Sequence, residues 1–113
     1  MSIEADVKTA LSTLDATVYA VLAPFEASPP YVVYRRISTL NHASIGGPAT
    51  LDQARIQINC YGGNYPAAKA LAEQAKTAIH DAFGPRAVRI HESDESDDGD
   101  HWVWMDFSIW KKS

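Results

Sequence analysis

Residues 54–79 constrain the fold most, because they combine an alternating strand, a glycine turn and an amphipathic helix. Apolar and polar residues alternate from 54 to 61, which is typical of a strand with one buried face. Gly62 and Gly63 end this strand, and Asn64 stands where it can cap the next helix. Beyond it, apolar residues return at three- and four-residue steps: Ala68, Leu71, Ala72, Ala75, Ile79 and Ala82 or Phe83. This stretch predicts a layered domain of sheet and helix.

The rest of the chain predicts one α+β domain over residues 1–113, without an internal repeat or a linker. A first helix is expected at 3–14, and the further strands are expected at 18–22, 31–40, 86–91 and 102–110. We expect a mostly antiparallel sheet of about four strands packed against two helices. Residues 41–50 would join two strands as a long β-hairpin loop, and loops of that length tend to be functional.

The single cysteine and the start of the chain indicate a cytoplasmic protein. One cysteine cannot form an internal disulfide, and Cys60 falls on the apolar face of its strand. We interpret Cys60 as a small buried hydrophobic residue, with a reactive thiol as the second interpretation. The N-terminal residues lack the pattern of a signal peptide, and no apolar run approaches the length of a bilayer. We therefore expect no membrane association.

The acidic residues are concentrated near the C-terminus. The formal net charge is −4, but six of the fourteen acids fall within residues 92–100: Glu92, Asp94, Glu95, Asp97, Asp98 and Asp100. We predict that residues 93–100 form a solvated acidic loop at a hairpin tip. The loop partly imitates a calcium loop, but Met105 occupies the position of the bidentate glutamate. A helix-flanked calcium site is therefore rejected, while a weak cation site remains an alternative.

Chemical motifs point to no catalytic or cofactor site. The glycine pairs lack the lysine and hydroxyl of a phosphate-binding loop and the third glycine of a dinucleotide site. Of the four histidines, only His91 and His101 could meet, across the hairpin that the acidic loop closes. Beside its carboxylates they could bind zinc, although the spacing is no zinc signature. Few arginines and no aromatic–basic repeat argue against sequence-specific nucleic-acid binding.

The C-terminal strand carries an unusual amount of aromatic surface on one face. Its alternation places Val103, Met105, Phe107 and Ile109 toward the core. Trp102, Trp104 and Trp110 fall on the opposite face. Burial of each tryptophan would contribute about 2–3 kcal/mol, too much to leave in water. We expect the N-terminal helix or another subunit to cover part of that face.

Five pieces follow one another along the chain: IEADVKTALS, VYAVLAP, PPYVVYRRIS, ARIQINCYGGNYPAAKALAEQAKTAI and WMDFSIW. As an ordered set they resemble the tail completion, or tail terminator, proteins of long-tailed bacteriophages. The resemblance covers nearly the full length, and it is weakest at residues 41–50 and in the acidic loop. It implies a structural protein of the virion, assembled in the host cytoplasm, and not an enzyme.

The resemblance also implies partners and a position in the particle. Such proteins form a ring, commonly of six subunits, on the head-proximal end of the tail tube. The ring stops tube growth and meets the head-completion or connector protein. We expect the ring or partner interface to include Tyr34, Ile45, Trp102, Trp104 and Trp110. We further infer that the acids from Glu92 to Asp100 face a lumen through which DNA passes.

Two other functions remain open from the sequence. One is a related neck or connector subunit, which would join head and tail at another position in the particle. The other is a small cytoplasmic metal- or ligand-binding domain that uses His91, His101 and the acidic loop.

Overall fold

The computed structural model describes residues 3–14, 16–24, 27–43, 50–97 and 100–112. Its elements are α1 (Ile3–Leu11), β1 (Thr17–Ala20), β2 (Tyr31–Ala43), β3 (Thr50–Tyr61), α2 (Tyr65–Phe83), a 3-10 turn (Gly84–Arg86), β4 (Ala87–Asp97) and β5 (Asp100–Lys112). This order of helices and strands agrees with the prediction from the sequence, and the α+β class is confirmed. Within the described residues, no helix is both long enough and apolar enough to cross a membrane.

The sheet has five strands in the order β1-β2-β3-β5-β4. All neighbouring pairs are antiparallel except β1 and β2, which run parallel. The prediction of about four strands was therefore one strand short. The difference arises at the edge, where β1 is only four residues long and pairs with β2 over Tyr31–Tyr34. A pairing of this length depends on tertiary placement and leaves little periodicity in the sequence.

Two hairpins extend further than the hydrophobic patterns predicted. β2 and β3 pair as far as Ala43 with Thr50, and β4 and β5 pair as far as Asp97 with Asp100. The predicted link 41–50 thus shortens to 44–49, which lies outside the described residues. The predicted acidic loop 93–100 is mostly strand, which corrects that expectation. Backbone pairing continued past the point where apolar alternation stopped, because ladder hydrogen bonds need no apolar side chain.

Both helices pack on one face of the sheet and form one core with it. The faces predicted for β3, β5 and α2 are confirmed, since their apolar residues are buried together. From α1, the buried residues are Ile3, Val7, Ala10 and Leu11. Because α1 lies in this core, it does not cover the tryptophans on the other face. Of the two expected covers for the tryptophans, the N-terminal helix and another subunit, only another subunit remains.

The turn between β3 and α2 brings the two layers close together. Asn64 caps α2, as predicted, with its Oδ1 accepting from the backbone N–H of Ala67 at 2.9 Å. Gly63 has a φ of 82°, where a side chain would be strained. At Gly62 the requirement is space, because a Cβ there would lie 2.1 Å from the backbone nitrogen of Ala68. Each glycine is thus needed for a different reason.

Candidate interaction surface

The face of the sheet opposite the two helices is the candidate interaction surface, called here the helix-free face. The alternation of β5 places Trp102, Trp104 and Trp110 on it, as predicted. All three tryptophans are partly exposed. The rings of Trp104 and His91 lie 4.7 Å apart, so β4 contributes to the same surface.

Four aromatic rings form a band across the helix-free face, called here the aromatic band. Tyr31 and Tyr61 stack with ring centroids 4.5 Å apart, and Tyr61 stacks on Trp102 at 5.4 Å. Tyr19 meets Tyr31 edge to face at 5.9 Å. The band crosses β1, β2, β3 and β5, and such pairs contribute about 0.5–1.5 kcal/mol each beyond their buried area. Sequence patterns do not predict the three tyrosines as one surface, because only strand pairing aligns them.

Two carboxylates lie beside the aromatic band. The register pairs Glu95 with Trp102 on the neighbouring strand, and Asp100 begins β5 two residues before Trp102. Burial raises the pKa of Tyr61, and the negative charges of Asp100 and Glu95 raise it further. This end of the helix-free face is therefore aromatic and negatively charged.

The centre of the helix-free face holds a partly buried polar pair. Arg55 Nη2 donates to Asp106 Oδ2 at 2.9 Å, and Asp106 is only 7% exposed. Asp106 Oδ1 and Arg55 Nε have no hydrogen-bond partner among the described residues. Beside them, Gln53 Nε2 donates to Ser108 Oγ at 2.6 Å. A buried carboxylate oxygen without a donor is uncommon, and a partner protein could supply one.

The acidic residues predicted to act together are separated by the strands. Glu92 lies on the helix side, where its carboxylate contacts Lys76 Nζ at 2.8 Å, Arg89 Nη1 at 3.1 Å and Lys69 Nζ at 3.2 Å. Asp94 lies on the same side and accepts from the hydroxyl of Tyr65 at 3.0 Å. Both carboxylates fasten α2 to β4, which corrects their assignment to a solvated acidic loop.

The remaining acids lie nearer the end of the hairpin. Glu95 and Asp100 are exposed on the helix-free side. Asp97 is in β4, paired with Asp100, and Asp98 lies outside the described residues. Strand alternation therefore divides the cluster between the two faces of the sheet.

The electrostatics of Glu92 follow from its contacts. Burial alone would raise the pKa of Glu92, but the hydrogen bonds from Lys76 and Lys69 outweigh it and hold the pKa below the ordinary value. Burial alone would lower the pKa of Lys76, but its hydrogen bonds to Glu73 and Glu92 outweigh that effect and raise the pKa. Glu92 is therefore ionised at neutral pH and joins the helix layer to the edge of the sheet.

The two other predicted interface residues have different outcomes. Tyr34 is 7% exposed and packs in the core on the helix side. This placement corrects the expectation that Tyr34 adds to the same surface as the tryptophans; the alternation of β2 turned it inward. Ile45 lies outside the described residues.

The histidine and cysteine hypotheses can also be compared with the structure. His91 pairs with Asp106 and His101 with Ser96, so the two histidines lie apart and on opposite faces. The proposed zinc pair is therefore wrong. Among the described residues, no group of three or more His, Cys, Asp or Glu could hold a metal ion. Cys60 is fully buried, and burial raises the pKa of its thiol to about 12, as expected for a core residue.

Comparison with known proteins gives a family and a matching fold. The family model described as Tail completion protein gp17 matches residues 4–112. A solved chain described as "Virion of native gene transfer agent (GTA) particle" superimposes with a TM-score of 0.65 at 14% identity. The match covers 99% of this chain and 96% of that one, and at this identity it shows a shared fold. A comparison with curated proteins found no match.

The family match includes α2, all five strands, all of α1 except Ile3, and every residue of the helix-free face named above. It confirms the resemblance inferred from the ordered pieces of sequence. On this evidence the chain belongs to the tail completion protein gp17 family.

Proposed function

We propose that this chain is the tail terminator of a long-tailed phage. In this proposal it forms a ring, commonly of six subunits, on the head-proximal end of the tail tube. The ring stops tube polymerisation and offers the joining surface to the head-completion or connector protein. The observation that carries the proposal is the family match over residues 4–112, which supports a structural role in a phage tail.

The helix-free face supports the part of the proposal that concerns protein partners. Tryptophan and tyrosine are enriched at the centres of protein interfaces, where they bury large areas at low entropic cost. Trp104 is partly exposed on this face, at the side of the partly buried pair of Arg55 and Asp106. We propose that tail proteins cover this face in the assembled particle, and that a donor from one of them reaches Asp106 Oδ1.

The end of the β4–β5 hairpin supports the part that concerns DNA. Glu95 and Asp100 are exposed there, and Asp97 pairs with Asp100 at the end of the ladder. A negatively charged wall repels phosphate and keeps passing DNA from sticking. We therefore propose that this end of the hairpin faces the lumen of the ring. Glu92 and Asp94 are not part of this negatively charged wall, because lysines of α2 pair with their carboxylates.

Deletion of the gene, followed by electron microscopy of the tails, tests the proposal. A terminator predicts tubes of irregular, excess length that carry no heads, and the wild-type gene supplied in trans should restore both properties. A neck or connector subunit predicts tails of normal length without heads. Tails of normal length joined to heads would exclude both functions.

A surface substitution tests the role of the helix-free face separately. Trp104→Ala should lower incorporation of the chain into tails at least tenfold, by analogy with central interface tryptophans. Thr77→Ala, on the exposed side of α2, is the matched control and should be incorporated normally. Circular dichroism of both purified variants establishes that they are folded. Normal incorporation of Trp104→Ala would mean that no partner covers this part of the face.

A further inference from the structure

The exposed aliphatic side chains concentrate at the two outer edges of the sheet. Six large hydrophobic residues are exposed in the part of the chain that the structure describes, and one of them, Tyr65, is hydrogen-bonded to Asp94. The other five are Val21, Leu22, Ile37, Val88 and Ile90. Val21 and Leu22 directly follow β1 and line a cavity with residues of the helix-free face such as Arg35. Ile37 lies on β2, and Val88 and Ile90 lie on β4. Leu22 is 80% exposed, so this is surface that a monomer gains nothing by keeping apolar.

Both edges are also open for contact along their backbones. β1 covers β2 only over Tyr31–Tyr34, and β4 is the last strand on its side. Among the described strands, none pairs with the outer side of β2 from Arg35 onward or with the outer side of β4. Proteins usually blunt such edges with charged residues, because an open edge invites association. Both edges do carry charged residues, such as Arg35 and Arg36 on β2 and Arg89 and Glu95 on β4, but exposed aliphatic residues stand among them.

The register shows that the two edges match in height, meaning position along the strand direction. Arg35 pairs with Gln57, which pairs with Asp106, which in turn pairs with His91. Arg35 on one edge and His91 on the other therefore lie in the same row across the sheet.

Each edge has a register shift close to this row. On β2 the shift lies between Arg36 and Ser38, at Ile37, and on β4 it lies between Arg89 and His91, at Ile90. The two strands run in opposite directions, so both isoleucines lie on the same side of the row, within about one residue spacing of each other. The backbone N–H of Val21 donates to the carbonyl of Tyr34 at 2.8 Å, which keeps the first edge's other aliphatic residues at this height.

A second copy of this chain fits these two edges. Rotation about an axis roughly parallel to the strands preserves height and strand direction, so the β2 edge of one copy meets the β4 edge of the next in antiparallel orientation. We infer that the ring contact is head-to-tail between these edges. Ile37 of one copy, with Val21 and Leu22, packs against Val88 and Ile90 of its neighbour. This inference rests on the proposed ring.

Crosslinking in purified tails tests the contact. The chain would carry Ile37→Cys together with Ile90→Cys, while the native Cys60 is buried and does not compete. A short bis-maleimide should convert most of the doubly substituted chain into a covalent ladder on a denaturing gel, ending at the number of subunits in the ring. The matched control is Ile37→Cys with Thr77→Cys, whose second cysteine lies on α2 and should give no ladder.

A charge pair provides the second measurement. Ile37→Lys alone, and Ile90→Glu alone, should each lower incorporation into tails at least tenfold, because each places a charge against the exposed aliphatic residues of the neighbouring copy. The combined variant should recover most of the loss, since lysine and glutamate then face each other at every contact. This arm decides the question if the paired cysteines themselves prevent incorporation.

The outcomes separate this inference from the proposed function. A ladder, or recovery by the charge pair, supports the edge contact. Tails that contain the chain but give no ladder, or a charge pair without recovery, would overturn the contact and leave the terminator role intact. Tails that lack even the wild-type chain would refute the proposed function, and the edge contact with it.

Discussion

Replacing Gly62 by alanine would place a methyl group inside the backbone of α2. The new Cβ would lie 2.1 Å from the nitrogen of Ala68, and 2.5 Å from both its Cα and the carbonyl carbon of Ala67. Ordinary contact begins at 3.4 Å, so the first turn of α2 must move by roughly 1 Å. The obstacle is backbone, which cannot rotate away as a side chain can.

The cost of this movement can be assembled from two contributions. Overpacking of a close contact costs about 1–3 kcal/mol, and loss of the Asn64 cap costs about 1 kcal/mol. We therefore expect Gly62→Ala to lose about 3 kcal/mol of the free energy of unfolding. For a chain of this length, that corresponds to a fall in Tm of about 12 °C.

Urea unfolding followed by tryptophan fluorescence measures the loss, with Gly63→Ala as the matched control. Gly63 is the adjacent residue, but a Cβ there meets only Pro29 at ordinary contact distance, 3.5 Å. Its cost comes from its φ of 82° and should be about 1 kcal/mol. Equal urea midpoints for the two variants would refute this explanation, because the backbone clash at Gly62 would then cost no more than the positive φ at Gly63.

Three further predictions concern buried or charged groups. Burial raises the pKa of Cys60 to about 12, so its thiol should react with maleimide at pH 8 only after unfolding. Mass spectrometry would record the reaction, and rapid labelling of the native protein would contradict the burial of Cys60. Glu92→Gln should cost about 1 kcal/mol at pH 7 and less at pH 3. Folding lowers the pKa of Glu92, so the stabilisation from its carboxylate is present above about pH 4.5 and is lost as the pH falls through the folded pKa. Equal losses of stability at both pH values in urea titrations would refute this. Asp106→Asn should cost about 1–2 kcal/mol by thermal unfolding, because it removes a charged acceptor from Arg55, and an unchanged Tm would show that the pair is not stabilising.

Local patterns were sufficient to predict the elements and their faces. The order of helices and strands, the cap at Asn64 and the outward face of Trp102, Trp104 and Trp110 were all read correctly. These features depend on periods of two or 3.6 residues and on residues close in sequence, so neighbouring positions contain the information. The ordered pieces likewise identified the family.

The structure of the acidic cluster was not predictable from local patterns. Six acids within residues 92–100 resemble a solvated loop when they are counted together. In the structure this run is largely strand, so Glu92 and Asp94 turn toward α2 while Glu95 turns away. The lysines that engage Glu92 are 16 and 23 positions earlier in the chain, which no local pattern could reveal.

The sequence by itself determined the layered α+β domain, the residues that fill its core and the family to which it belongs. Tertiary structure alone decided that Tyr34 is internal, that three tyrosines align with Trp102, and that Ile37 and Ile90 stand at one height on opposite edges. The physical reason is the range of the interactions. Burial periodicity is encoded along one strand, whereas rows across a sheet depend on the register between strands that are distant in the chain.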